Sequence, residues 1–275
     1  VNSESLGGVT ESINPYEMAF DIGYSRKLSE KFSMGVVFRY IYSDLGFGAS
    51  STSTQPSGAS AFSADISGYF VSYPIVGQNE CQFAWGWDIS NIGTKVSPEG
   101  QPPAFLPTNL RLGASFMFPL ADYHNLAISL DLNKLLVPTR PRRDDYTDQD
   151  GQVDEAAYAE ALNNWETMSP ITGIFKSFGD APGGMKEELR EISYSIGAEY
   201  NYNQQFFLRA GYYHESQYKG NRQYFGFGAG FSLNVVRLDA AYMLATSQTS
   251  PLDQTLRFSL TFDMDGLRDL MGGRR

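Results

Sequence analysis

Two side chains in the C-terminal half have types and spacing that could do chemistry. His214 and Ser216 are two residues apart, so in a β-strand they point to the same face. An imidazole beside a hydroxyl can activate that hydroxyl for attack on an ester. A histidine near the end of a strand more commonly belongs to a polar girdle. The other histidine, His124, is predicted in a turn at the opposite end of the strands, so it cannot join the pair. The sequence therefore predicts a protein that is not an enzyme and has no catalytic residues.

No metal site and no cofactor are expected. Cys81 is the single cysteine, so it has neither a disulfide partner nor a second thiolate for a metal. The segment DQDGQVDE resembles a calcium-binding loop. With Gly151 at the sixth position, however, Tyr146 and Ala157 stand where an EF-hand needs acidic ligands.

Composition narrows the class of protein. Aromatic residues make up 14% of the 275 residues, with 27 glycines. No run of about 18 apolar residues is present, which excludes a membrane-spanning helix. The formal net charge of −10 argues against nucleic acid as a partner.

Residues 190–246 show the clearest periodicity. Apolar side chains recur at every second position from Ile192 to Tyr202. The pattern restarts after turn residues in 206–213, 225–231 and 236–242. Strict alternation predicts four antiparallel strands with one apolar and one polar face. A length of about ten residues suits a strand that spans a membrane.

The whole chain reads as eleven such strands with two kinds of connection. Short turns are expected near residues 28–31, 73–79, 120–124, 203–205 and 233–235. Longer loops are expected near residues 44–59, 93–107, 137–189, 216–222 and 247–253. Loops sorted by length indicate an outer-membrane antiparallel β-barrel, with the N-terminal residues 1–14 forming a loop outside. A soluble β-sandwich, the alternative, would not sort its loops in this way.

Charge placement predicts which face meets lipid. An arginine facing the bilayer midplane costs roughly 2–4 kcal/mol, so the face that carries the arginines is expected to line the lumen. The predicted lumen charges are Arg39, Arg111, Arg209, Arg237 and Arg257, with Asp131, Glu199 and Asp239 among the carboxylates. Lys134 is the exception, because it falls on the apolar face. We expect it to extend its ammonium group to the extracellular interface.

The connection at residues 137–189 is too long for a simple turn. DEAAYAEALNNWETM predicts a helix with an apolar stripe, and a second short helix is expected at 171–178. DAPGGMKEELREI resembles a capped helix that leads into the next strand. The predicted partner-binding residues of this insertion are Tyr158, Leu162, Trp165, Ile171, Phe175 and Phe178. The alternative is that the insertion only closes the mouth of the barrel.

Two long segments carry a family resemblance. SFGDAPGGMKEELREISYSIGAEYNYNQQFFLRAGYYHES and KGNRQYFGFGAGFSLNVVRLDAAYMLA, together with the earlier YSRKLSEKFSMGVVFRYIYS, resemble the PorV family, also called LptO, of the type IX secretion system. The resemblance implies a FadL-like barrel of fourteen strands, of which about eleven are present here. We therefore expect a barrel at residues 1–265 that lacks its N-terminal strands and hatch, followed by a periplasmic tail at 266–275.

The resemblance also implies a function and partners. PorV-family proteins sit in the outer membrane, collect secreted cargo by its C-terminal signal domain from the large translocon barrel, and deliver it to the attachment complex that contains the sortase PorU. Outer-membrane lipid and lipopolysaccharide are further expected partners. Three alternatives stay open: a FadL-like transporter of hydrophobic molecules, the sibling barrel PorQ, and a lipid A deacylase. The spacing of His214 and Ser216 resembles that of the catalytic residues in lipid A deacylase barrels.

Overall fold

The chain folds almost entirely into β-structure. This computed structural model describes residues 2–4, 10–12, 16–44, 58–97, 102–148, 151–246, 253–264, 266 and 268. Residues 45–57, 98–101 and 247–252 of the expected loops, and most of the C-terminal tail at 266–275, lie outside these ranges. In the described part of the chain, every helix is too short or too polar to cross a membrane.

The described residues contain fifteen strands. They are β1 (Asn2–Glu4), β2 (Thr10–Ser12), β3 (Tyr16–Lys27), β4 (Phe32–Asp44), β5 (Ala59–Ser72), β6 (Ile75–Val76), β7 (Asn79–Glu80), β8 (Gln82–Gly93), β9 (Asn109–Ala121), β10 (His124–Leu135), β11 (Ile192–Tyr202), β12 (Phe206–His214), β13 (Gln223–Leu233), β14 (Val236–Ala245) and β15 (Thr255–Phe262).

Eleven of these strands form one antiparallel sheet. From β3 to β15 each strand pairs with the one before it in the chain, except that β8 pairs with β5 across the small β6–β7 hairpin. The predicted all-β class and the eleven antiparallel strands are confirmed. Two predicted connections contain short hairpins instead, β1–β2 within residues 1–14 and β6–β7 within the turn after β5, because backbone pairing does not require an apolar face.

The register gives the sheet one apolar face and one polar face. Leu132 pairs with both Leu112 and Tyr194, and charged residues pair with each other on the opposite face, as Glu199 does with Arg209. Tight turns fix this register. Asn203 and Gln204, two of the three residues between β11 and β12, both have positive φ, as the central residues of a type I′ turn require.

The apolar face is uncovered over most of its area. Phe20 is 65% exposed, Leu208 58% and Phe258 69%. A water-soluble antiparallel sheet buries one face against a core. Here the buried apolar residues are few and mostly small, such as Ala59, Ala61 and Ala84. The sheet therefore requires apolar surroundings.

The insertion between β10 and β11 holds the helices. A short 3-10 helix (Arg143–Tyr146) precedes α1 (Glu155–Thr167), α2 (Pro170–Lys176) and α3 (Met185–Arg190). The side chain of Asp154 caps α1 by accepting from Ala157 N–H, and Ser169 caps α2 by accepting from Thr172 N–H. The three helices predicted from the sequence are present.

Close packing at the end of β8 predicts a specific cost for one glycine. A methyl group on Gly93 would collide with the backbone carbonyl oxygen of Phe62, whereas one on Gly226 of β13 would meet open space. We expect Gly93→Ala to lower the free energy of unfolding by about 1–3 kcal/mol because the backbone must shift, and Gly226→Ala to leave it nearly unchanged. Urea unfolding in detergent micelles, followed by tryptophan fluorescence, measures both. Equal stability of the two variants would contradict this packing.

Candidate functional site

The insertion is fastened to the rim of the sheet through Trp165. Its indole Nε1 donates to the Pro138 carbonyl oxygen at 3.0 Å, and its ring meets Phe105 edge-on at 5.1 Å between centroids. Lys95 completes the contact by donating from Nζ to the carbonyl oxygens of Trp165 and Glu166 at 3.1 and 2.7 Å. Burial lowers the pKa of Lys95, against the opposing charge of Glu166. Trp165 is therefore occupied by contacts within the chain.

The first part of α1 also packs within the insertion. Tyr158 meets Tyr146 edge-on at 6.0 Å, and the guanidinium of Arg143 lies 5.7 Å from the Tyr158 ring centre. Leu162 is half-buried. The predicted stripe of α1 thus contributes mainly to holding the insertion together.

The three remaining predicted partner-binding residues are exposed. Ile171 is 55%, Phe175 74% and Phe178 50% accessible to solvent. They lie on α2 and just after it, where Gly173 packs closely against Phe105 and Pro138. We call Ile171, Phe175 and Phe178 the exposed row. It is available to a partner, whereas Trp165 is not.

A network of ion pairs holds α3 against the wall of the sheet. Lys134 Nζ contacts Glu188 at 2.9 Å and Glu191 at 2.7 Å, and Lys219 Nζ contacts Glu191 at 2.8 Å and Glu187 at 2.9 Å. We call these five residues the α3 clamp. The expectation that Lys134 reaches out to the interface is wrong. Its side chain is only 10% exposed, because α3 covers it and supplies its counter-charges.

The clamp shifts the ionisation of its carboxylates. Hydrogen bonds from Lys219 and from Gly183 N–H lower the pKa of Glu187. Burial raises the pKa of Glu188, but hydrogen bonds from Lys134 and Ala181 N–H outweigh burial and leave this pKa lowered. Both carboxylates therefore stay charged below the pH at which they would protonate in an unfolded chain.

A cavity of about 750 Å³ lies at the mouth of the polar face, beneath the insertion. Its lining includes Arg111, Arg140, Trp165 and the pair Arg222–Glu215, whose Nε and Oε2 atoms are 2.7 Å apart. The lining carries charges of both signs. The cavity therefore suits a polar or charged group better than an apolar molecule.

Two clusters of charge are built on the polar face. In the first, Arg39 binds Asp21 at 2.8 Å and Asp65 at 3.3 Å, and also donates to Asn91 Oδ1 at 2.7 Å. Asn91 sits at the bulge between β5 and β8 with positive φ, and its backbone N–H donates to Asp65. The bulge therefore aims a neutral side chain into an ion-pair cluster.

The second cluster centres on Arg209. It contacts Glu199 at 2.6 Å and Asp239 at 2.7 Å, while Arg237 contacts Asp239 at 2.9 Å. Both guanidinium groups lie near the buried ring of Phe207, at 5.2 and 4.4 Å. The ring and the carboxylates together hold two like charges close to each other.

The other predicted lumen charges stand apart. Asp131 accepts from Ser195 Oγ at 3.5 Å. Arg111 lines the mouth cavity, and Arg257 pairs across the strands with Ala241. Within the described ranges, neither arginine has an ion pair.

His214 and Ser216 each contact other groups. The His214 ring stacks on Tyr194 at 4.9 Å, and its Nδ1 lies 3.4 Å from Tyr212 Oη. Ser216 Oγ instead accepts from Tyr218 N–H. Where the structure describes the chain, no group of three or more His, Cys, Asp or Glu side chains is placed to hold a metal ion.

Several residues of these sites were not predicted from the sequence. Glu188, Glu191 and Lys219 of the α3 clamp were not predicted, and neither was Asn91. The spacing of Glu188 and Glu191 places both carboxylates on one side of a helical turn. That spacing, together with an unmatched lysine on an apolar strand face, is a signal that could have found the clamp.

The Arg209 cluster predicts unequal costs for two arginine substitutions. Arg209→Met leaves Glu199 and Asp239 facing each other without their shared cation, whereas Arg257→Met breaks no ion pair among the described residues. We expect Arg209→Met to be the more destabilising, and addition of Glu199→Gln to recover part of the loss. The side chains are about a third exposed, so we expect a coupling energy of about 1 kcal/mol. A double-mutant cycle by urea unfolding measures it, and zero coupling would reject the cluster as a stabilising unit.

The α3 clamp predicts release of the helix in acid. A lowered folded pKa stabilises the docked helix above the unfolded value of about 4.3, and this contribution is lost as pH falls through the folded pKa. We expect a spin label at Lys186→Cys, in a Cys81→Ser background, to become mobile as pH falls below that unfolded value. Lys134→Met should mobilise it already at neutral pH, because Glu188 loses its partner.

Lys176→Met serves as the matched control for the clamp. Among the described residues Lys176 has no ion pair, so its removal should leave the label immobile at neutral pH. A label that stays equally immobile in Lys134→Met would contradict the clamp.

The chain is similar to one known family and, more distantly, to solved structures. The family described as "Type IX secretion system protein PorV" matches residues 8–142. No curated protein matches the chain. Outer membrane phospholipase A from Escherichia coli is similar at 9% identity, over 90% of this chain and 82% of its own, with a TM-score of 0.33. The calcium-bound phospholipase dimer from Salmonella typhi is similar at 10% identity, over 90% and 77%, with the same TM-score of 0.33.

These two structures are too distant to support an argument about function. The family match covers β3, β4, β5, β8, β9 and β10, the strands that lead into the insertion. Over residues 8–142 the chain matches the PorV family of type IX secretion proteins, which confirms the resemblance predicted from its sequence.

Proposed function

We propose that the protein is an outer-membrane barrel of type IX secretion that binds the C-terminal signal domain of cargo at the translocon. It then delivers cargo to the cell-surface attachment complex that contains the PorU sortase. The PorV match supports a role in this secretion system. The uncovered apolar face of the sheet supports a place in a membrane, because a water-exposed apolar surface of this extent would drive aggregation.

The observation that carries the docking part of this proposal is the exposed row. Large aromatic side chains that stay exposed while their neighbours pack are typical of interface anchors. The anchoring of Trp165 holds α2 in place, so the row needs little ordering when a partner binds. Loops on a rigid scaffold are the usual position for binding residues.

Two other functions receive less support. A FadL-like transporter of hydrophobic molecules needs an apolar path, but the polar face carries the Arg39 and Arg209 clusters across its width. A lipid A deacylase needs contact between His214 and Ser216, which bind other groups. We therefore propose a binding protein and not an enzyme.

Replacing the exposed row tests the docking proposal. We expect Ile171→Ser with Phe175→Ser and Phe178→Ser to weaken co-purification with cargo and the translocon in mild detergent by at least about tenfold, since aromatic anchors dominate interface energy. Leu28→Ser with Ile75→Ser removes similarly exposed side chains from the connections after β3 and β5, at the ends of the strands opposite to the insertion. This control should bind normally.

Heat-modifiable mobility on gels confirms that each variant is folded. Unchanged partner binding by the folded triple variant would reject the exposed row as the docking surface. Loss of binding in the Leu28 and Ile75 control as well would reject it equally, because the effect would then not depend on position.

A further inference from the structure

A second surface of the insertion faces the apolar wall of the sheet. Between α3 and strands β9 and β10 lies a groove of about 300 Å³. Leu110, Leu112 and Leu132 form its floor, and Phe178, Met185 and Leu189 form its roof. The floor belongs to the apolar face, and its register places it in the two rows nearest the insertion. The groove therefore lies at the end of the apolar face nearest the insertion, where α3 covers that face.

The α3 clamp makes this groove rigid and apolar. Lys134 closes one side of it, but Glu188 and Glu191 neutralise its charge. An unpaired ammonium group would need water in the groove to hydrate it. Because it is paired, the groove presents almost only carbon atoms to whatever occupies it.

The outside of the groove is amphipathic. Met185 is 74% and Leu189 63% exposed on α3. Next to them in the chain lie Lys186 and Arg190, which form no ion pair with any described residue, although Arg190 lies over the Tyr218 ring at 4.5 Å. Exposed apolar residues with cations beside them are typical of a helix that lies in a membrane interface.

The charges of this segment differ from those of the whole protein. The chain has a formal net charge of −10, which repels anions in general. Lys186 and Arg190 are thus local cations on an acidic protein, and they accompany a groove that fits a narrow apolar group. This complementarity favours a ligand with an apolar tail and an anionic head.

We propose that the groove between α3 and the β9–β10 wall binds one acyl chain of an anionic membrane lipid. Lys186 and Arg190 contact the phosphate of its head group. The inference rests on the membrane placement in the proposed function, but it adds a specific lipid site that the docking of cargo does not require. A volume of about 300 Å³ suits a single chain rather than a bundle of chains.

Titration with defined lipids tests the site. The probes are phosphatidylglycerol and phosphatidylcholine with identical acyl chains, added to the full chain in detergent micelles and followed by native mass spectrometry. We expect the wild-type protein to retain one phosphatidylglycerol more tightly than phosphatidylcholine. Leu132→Trp fills the groove and should weaken retention of both lipids about tenfold.

Two matched controls separate the groove from the rest of the wall. Leu208→Trp places the same side chain on the apolar face of β12, away from the groove, and should bind both lipids as the wild type does. Lys186→Gln with Arg190→Gln should abolish the preference for phosphatidylglycerol and leave phosphatidylcholine binding unchanged. Lys27→Gln with Lys31→Gln, at the β3–β4 turn, should leave the preference intact.

The outcomes that overturn the proposal are specific. Equal lipid retention by folded Leu132→Trp and Leu208→Trp would show that the groove holds no chain, and would favour an apolar segment of a partner protein as its occupant. If Leu132→Trp does not fold, Phe178→Ser with Met185→Ser opens the roof instead, and unchanged retention in that variant overturns the site. Failure of the wild-type protein to enter lipid nanodiscs would instead reject the membrane placement itself.

Discussion

The uncovered apolar face of the eleven-stranded sheet is the constraint on which the rest of the structure depends. A sheet with this much exposed leucine and phenylalanine is stable only in apolar surroundings. Polar side chains are therefore confined to the opposite face and to the connections. Lys134, a charged residue on the apolar face, is covered there by α3.

The polar face solves the converse problem of holding many charges in one place. Arg39 and Arg209 each lie between two carboxylates supplied by different strands. The ion pairs of Arg39 join strands that the backbone ladder joins already, whereas the Arg209–Asp239 pair links β12 to β14 across β13. Both clusters fix which side chains face one another on the polar face. Phe207 adds an aromatic surface beside Arg209 and Arg237, which shields the apolar part of their side chains from water.

The insertion has a different role on each side of the rim. Trp165 fixes it over the mouth of the polar face, beside the mixed-charge cavity. The α3 clamp fixes its other end on the outside of the wall. Between these two anchors the exposed row remains uncovered, so the proposed protein-docking surface and the proposed lipid groove lie on one segment. Phe178 belongs to both, which links the two proposals in space.

The sequence determined what depends on local periodicity: the eleven strands, the face of each side chain and the three helices of the insertion. Alternation sets these features residue by residue, and no distant contact is needed to infer them. Only the tertiary structure decided that Trp165 packs inward while Phe175 stays exposed, and that Glu188 and Glu191 neutralise Lys134. Each of these depends on where the insertion settles on the wall. That position is set by contacts between residues far apart in the chain. The spacing of Glu188 and Glu191 indicates that both carboxylates share one side of α3, but it does not say which residue of the wall they reach.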